Sequence, residues 1–275
     1  MHTWAAISAG TTIPPHRLTL SRAANERYWS AAGVDHPTLA GGSAYPMIAA
    51  NCTVLAWLET CDTPMIQTRQ QLRSHRAVST PVDLLTAGRV VGRHERRGRD
   101  YVTVEVEVEV GSTAGPLWTS TVDFTPVETF TRPGRVGVRP VRADRVARAR
   151  LDGPRRRAVV TDESIRRYSR RGNYHSEPST AAEFGLPGLV AQGTQVCGSA
   201  YALLLEAWGE AFVAHGQLDA RFVGIVVGGD EIETTVAVAA DRADFEVWNR
   251  TRDRLAATGS ARTGRTASIG TSISA

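Results

Sequence analysis

Lysine is absent from the 275 residues, and cysteine occurs only as Cys52, Cys61 and Cys197. So few cysteines, and an odd number, make no disulfide framework, and a reducing cytoplasm is the expected compartment. No apolar run approaches the roughly 20 residues that would cross a bilayer. No basic segment leads into an apolar one at the N-terminus, so a soluble protein without a membrane partner is expected. No Cys/His cluster has metal-ligand spacing and no glycine-rich phosphate loop occurs, so neither a metal nor a separate cofactor is expected.

All 32 basic residues are therefore arginine. Ten of them lie between Arg132 and Arg157 against two acids, Asp144 and Asp152, so this strip carries +8 in a chain of net +4 and the remainder is at −4. Nucleic-acid binders spread basic residues over a folded face and interleave aromatics, whereas this strip is broken by Pro and Gly and has no aromatic. Nucleic acid is not an expected partner. The strip reads as a solvated linker, with docking of CoA phosphates or an acidic carrier protein as the alternative.

With 42% hydrophobic residues the chain can bury a large core. The strip separates two stretches of similar design, which gives an N-terminal unit 1–131, a linker 132–157 and a C-terminal unit 158–275. Each unit opens with a short helix, the first from Ser21 to Trp29 and the second from Thr161 to Ser169. Ser21 and Thr161 are suited to N-capping, and Ser164 fits a similar role. Both helices contain an Arg-Tyr pair and run on to a glycine, Gly33 or Gly172. Each unit then has an uncharged apolar helix, 44–58 and 194–205, which has no solvent face and belongs inside. Tyr101–Val110 alternates valine with acid, as a long half-buried antiparallel strand does. Further strand runs follow at 233–239, 245–249 and 255–261. Strands that follow a buried helix imply an antiparallel sheet curled round it, and two such units would pair side by side.

The most informative stretch runs Tyr168-Ser169-Arg170-Arg171-Gly172-Asn173-Tyr174-His175-Ser176-Glu177-Pro178, followed by Ala181-Ala182 and Gly185 and ending Gln192-Gly193-Thr194. It resembles the motif of MaoC-like hydratases and dehydratases: an aromatic, Ser-Gly-Asp-x-Asn-Pro-x-His-x-Asp, an alanine pair, and a closing His-Gly. Arg221-Phe222 through Gly229-Asp230 resembles the lead-in to a later strand of that family. The resemblance covers about residues 160–262. The first unit matches only the degenerate N-terminal half of two-unit members, through Gln71–Arg76 and the strand at Tyr101. It implies an α+β double hotdog: two antiparallel sheets, each wrapped round a buried helix.

It also implies a hydro-lyase that interconverts 2-enoyl and 3-hydroxyacyl thioesters. CoA or carrier-protein phosphopantetheine would enter as part of the substrate, and acyl-CoA or an acyl carrier protein would be the partner. Such chemistry needs an acid/base pair beside the acyl chain and N–H donors for the charge that gathers on the thioester oxygen. His175 would be the base, the amides of Gly193 and Thr194 the donors, and Gln192 and Arg170 would line the substrate. One site per chain is expected, in the second unit, with the first unit supplying tunnel wall.

The sequence departs from the pattern at the catalytic Asp. Counting back from His175 puts Arg170 at that position, while counting forward from the Arg-Tyr helix puts Asn173 there. Gln192 replaces the His before the glycine. Asn173 could orient water without exchanging a proton, and Glu177 is the nearby carboxylate that could act as a second acid/base. With His175 as sole base, the rate is expected to rise with pH through one ionisation in the ordinary histidine range. Asp35-His36, the corresponding place in the first unit, reads as a vestigial loop, and Cys52 and Cys197 read as packing residues. Thioester hydrolysis and a catalytically inactive acyl-binding or assembly subunit are the alternatives. Paired units often associate further, which leaves room for a homodimer.

Overall fold

The valine–acid alternation becomes a strand in which Val102, Val104, Val106 and Val108 are fully buried. It is β4 (Arg99–Val110), in a first half that also contains β1 (Thr12–Leu20), β2 (Met65–Ser74), β3 (Val82–Arg96) and β5 (Trp118–Pro126). The second half supplies β6 (Arg155–Val159), β7 (Gln217–Phe222), β8 (Glu231–Val238), β9 (Arg242–Asn249) and β10 (Arg254–Arg262). This computed structural model describes residues 1–96, 98–111, 115–127 and 151–264. Most of the arginine strip, residues 132–150, therefore lies outside the described residues. Its last arginines do not continue the linker. They open β6, where Arg157 pairs in register with Glu233 on β8 and its Nε donates to the Glu233 carboxylate at 2.7 Å.

All ten strands form one antiparallel sheet in the order β1-β3-β4-β5-β2-β7-β10-β9-β8-β6. With β6 as counterpart of β1, β7 of β2 and so on, the second half is the first in reverse. The halves meet where β2 pairs with β7, from Arg69↔Arg221 to Arg73↔Gln217. Gln70, Leu72, Leu218 and Ala220 face inward and are buried. On the outer face Arg69 binds Asp219 through both guanidinium and carboxylate arms, with Nε–Oδ1 at 2.9 Å. The units are thus joined edge to edge, as the repeated design predicts.

Each half-sheet wraps one apolar helix. In the first it is α3 (Ile48–Thr60), preceded by α1 (Arg22–Ala31) and the one-turn α2 (Pro37–Ala40). α3 begins four residues later than the apolar run, because Tyr45-Pro46-Met47 forms the turn that leads into it. In the second half α4 (Asp162–Tyr168) and α5 (Pro178–Glu183) precede α6 (Gly193–Val196) and α7 (Gly198–His215). α7 bends at Gly209, whose φ of 56° is costly for any residue with a Cβ. Ser21 caps α1 by accepting from the Ala24 amide, and Thr161 and Ser164 form a reciprocal capping box on α4.

The two units also touch through their helices. Tyr28 of α1 meets Tyr168 of α4 edge to face at 5.6 Å, and Tyr45 meets Tyr201 at 5.1 Å. Gln195 of α6 donates to the Ala31 carbonyl at the end of α1 at 3.2 Å. Gly198 lies so close that a Cβ there would stand 2.2 Å from the Ala32 carbonyl oxygen. That oxygen is backbone and has no rotamer by which to retreat. Gly198→Ala is expected to cost about 1–3 kcal/mol in urea unfolding, the range for overpacking a tight contact. An unchanged midpoint would show that the helices can slide apart freely.

Candidate active site

Between the two units lies a cavity of about 890 Å³. Its second-unit wall comes from the loop after α4 (Arg170, Gly172, Asn173, Tyr174, His175), from Phe184–Pro187, and from Val190 to Gly193 at the start of α6. The first unit contributes one stripe of α3 together with Asp62–Thr68, Phe124 and Val127. Tyr28, Tyr168, Phe222 and Arg254 also line it. Most of the wall is apolar, as suits an acyl chain.

The loop that carries His175 is held by its own hydrogen bonds. The Asn173 carbonyl accepts from the Ser176 and Glu177 amides, and Asn173 Oδ1 accepts from the His175 amide at 2.8 Å. Asn173 also meets the Ser169 hydroxyl at 3.3 Å, and that hydroxyl accepts from Gln192 Nε2 at 3.2 Å. Asn173 and Gln192 thus brace the loop against the start of α6. The Tyr174 hydroxyl donates to the Met65 carbonyl on β2 at 3.0 Å, and its ring packs on the His175 ring at 4.1 Å. This tie fastens the loop to the first unit.

His175 Nδ1 faces the Val190 carbonyl at hydrogen-bonding distance. A carbonyl can only accept, so Nδ1 carries the proton and Nε2 of the neutral ring holds the free lone pair. Burial disfavours the imidazolium, the Val190 carbonyl partly restores it, and the nearby Arg170 cation opposes it, with the net result that the pKa falls to about 4. This corrects the expectation of an ordinary histidine range, which took no account of the partial burial of the ring against Tyr174 and Val190. Gly193 and Thr194 sit at the start of α6, where the first amides lack intrahelical partners. A Cβ on Gly193 would fall 2.5 Å from the Phe222 ring, so glycine is what lets the backbone line the cavity there.

The structure therefore brings together His175, Asn173, Gln192, Gly193 and Arg170 as cavity wall, with the buried Thr194 directly behind them. Glu177 is not with them. It stands exposed at the N-terminus of α5, outside the cavity, which removes it as a second acid/base. His36 is spent capping α2, its Nδ1 accepting from the Thr38 amide at 3.3 Å, in keeping with a vestigial loop. Sequence reasoning missed Tyr174, Arg254 and Asn51. Tyr174 was visible only as the neighbour of His175, and the other two carry no motif. Arg254 Nε is buried without a partner, and among the described residues Arg170 has no ion pair. Among these residues no cluster of His, Cys, Asp and Glu could hold a metal, and no helix is long and apolar enough to cross a membrane.

By NMR, the His175 ring is expected to be the Nδ1–H tautomer and to titrate near pH 4. Because the folded value lies below the ordinary histidine value of about 6.5, acid costs stability. The unfolded chain takes up a proton as pH falls below about 6.5, and the loss levels off below the folded pKa. A titration near 6.5 would show a solvated ring.

Residues 149–259 match the family described as MaoC like domain. No curated protein sequence matches the chain. Among solved structures, HtdX of Mycobacterium tuberculosis superposes with a TM-score of 0.69 at 16% identity, covering 91% of this chain and 100% of that one. The peroxisomal multifunctional enzyme type 2 of Drosophila melanogaster gives 0.74 at 16% identity over 92% of this chain and 48% of that one. A second Mycobacterium tuberculosis protein, described as having a double hotdog fold, gives 0.59 at 16% identity over 94% and 98% of the two chains. These likenesses establish the fold, and the family match falls on the half that carries His175 and Gly193. The chain has the double hotdog fold, and the second of its two units carries the match to the MaoC like domain.

Proposed function

We propose that this chain is a hydro-lyase acting on an acyl thioester, interconverting a 2-enoyl and a 3-hydroxyacyl group, with one site per chain. The first unit is taken as 1–131, and the second, expected from 158, is taken to begin with β6 at Arg155 and to supply the chemistry. The observation that carries the reading is a neutral His175 with its Nε2 lone pair in an apolar cavity, beside the first amides of α6, in a MaoC-like domain.

Nε2 accepts a proton from water as the water oxygen bonds to the β-carbon. The electron pair of the double bond moves toward the thioester carbonyl, and the Gly193 and Thr194 N–H groups receive the charge on that oxygen. The same Nε2–H then returns its proton to the α-carbon. A depressed pKa makes His175 a weak base and its imidazolium a strong acid, so the ring gives the proton up readily. Asn173 holds the loop that carries His175, which is a positioning role. CoA or carrier-protein phosphopantetheine forms part of the substrate, and no separate cofactor enters. A cytoplasmic homodimer is the proposed setting.

The test is crotonyl-CoA in buffered water. Hydration removes the conjugated ultraviolet absorbance and releases no thiol, whereas hydrolysis releases thiol, and binding with neither signal marks an inactive acyl-binding subunit. His175→Ala is expected to lower kcat/KM at least about 100-fold, the low end for loss of a general base. Glu177→Gln should cost less than about tenfold, and Asn173→Ala should lie between them. The rate should rise through a single ionisation near pH 4 and then level. A bell with Glu177→Gln as damaging as His175→Ala would overturn the assignment.

A further inference from the structure

Within the first-unit wall of the cavity, α3 contributes a single stripe, Asn51, Val54, Leu55 and Leu58, spaced three and four residues apart. Three of these are aliphatic, as an acyl compartment requires. Asn51 is not. It is only 8% exposed and makes no hydrogen bond among the described residues, yet its amide is not among the sealed polar atoms. Its carboxamide therefore opens into the cavity. An apolar residue would pack this helix better, and a buried amide without a partner is destabilising.

Gln67 of β2, in the same wall, presents a second polar atom whose orientation is fixed. Gln70 Nε2 donates to the Gln71 carbonyl at 2.7 Å, so Gln70 Oε1 must be the acceptor from Gln67 Nε2, also at 2.7 Å. Gln70 Nε2 further donates to Ser120 Oγ, which Thr53 of α3 holds from the other side. Gln67 Oε1 is left without a partner among the described residues and is not sealed from the surface. An acceptor on Gln67 and a carboxamide on Asn51 suit a hydroxyl, which both donates and accepts.

We propose that the acyl compartment selects a thioester whose chain carries a hydroxyl beyond the reacting carbons, with Asn51 as the specificity-determining residue and Gln67 as its second. This rests on the reading of the cavity as an acyl-thioester site. Val54, Leu55 and Leu58 place Asn51 among hydrocarbon, which assigns it to the acyl chain and not to the amides of the pantetheine arm.

The test uses saturated acyl-CoAs, which cannot be hydrated. One is plain, and a set of the same length carries a single hydroxyl at successive positions beyond the β-carbon. The wild-type chain is expected, by calorimetry, to bind the best hydroxylated member at least about tenfold more tightly than the plain one. Asn51→Leu should erase or invert that ratio while unfolding as one cooperative transition. If Asn51→Leu does not fold, Gln67→Leu decides by the same ratio. Equal or tighter binding of the plain chain by wild type would overturn the proposal. So would a ratio that survives Asn51→Leu, and so would an equal loss for both chains, which would place Asn51 on the pantetheine arm. A hydroxyl preference without any hydration of enoyl thioesters would sink the hydro-lyase reading and leave this inference standing. Binding of neither chain would sink both.

Discussion

Everything at the site depends on the ladder between β2 and β7. It turns two five-stranded half-sheets into one sheet and brings α3 and the start of α6 to the same cavity. Leu72 and Leu218 fill its inner face, and the Arg69–Asp219 pair crosses its outer face. That pair is only partly buried, so its worth lies more in fixing register than in net stability. A one-residue slip would send Leu72 and Leu218 to solvent and Arg69 inward, which burial on one face forbids. With the ladder fixed, Tyr174 can reach the Met65 carbonyl and Gln195 the Ala31 carbonyl, and the cavity closes from both sides.

That shared enclosure also sets the chemistry. His175 loses its ordinary titration because its ring, partly buried, packs between Tyr174 and the Val190 carbonyl with an arginine nearby. A carboxylate beside the ring would favour its imidazolium, whereas the Arg170 cation disfavours it. Withdrawal from water is the main cause of the depressed histidine, and Arg170, which one alignment of the motif puts in place of the catalytic carboxylate, adds to it. The depressed pKa favours a ring that accepts a proton only within the transition state and returns it at once.

The fold was largely legible because its signals are local. The valine–acid alternation of Tyr101–Val110 and the uncharged runs at α3 and α6–α7 report their own burial, and the caps at Ser21 and Thr161 mark where their helices start. The boundary at Arg155 was not, since three arginines in a basic strip look solvated until the neighbouring strand is placed beside them, with Glu233 opposite Arg157. His175 and Gly193 were legible through their motif. Asn51, Arg254 and the Tyr174–Met65 tie were not, because each acquires its role from a residue distant in sequence. Glu177 misled for a related reason: two residues from His175 along the chain, it faces the other way once α5 begins beneath it.

One acyl site per chain, in the cavity that both units line, is the central proposal. Stoichiometry tests that most directly. Calorimetric titration of the intact chain with a saturated long-chain acyl-CoA is predicted to give one ligand per chain, with binding weakened by Gly193→Ala, which drives the Phe222 ring into the cavity. Two equivalent ligands per chain, or one that Gly193→Ala leaves untouched, would contradict it.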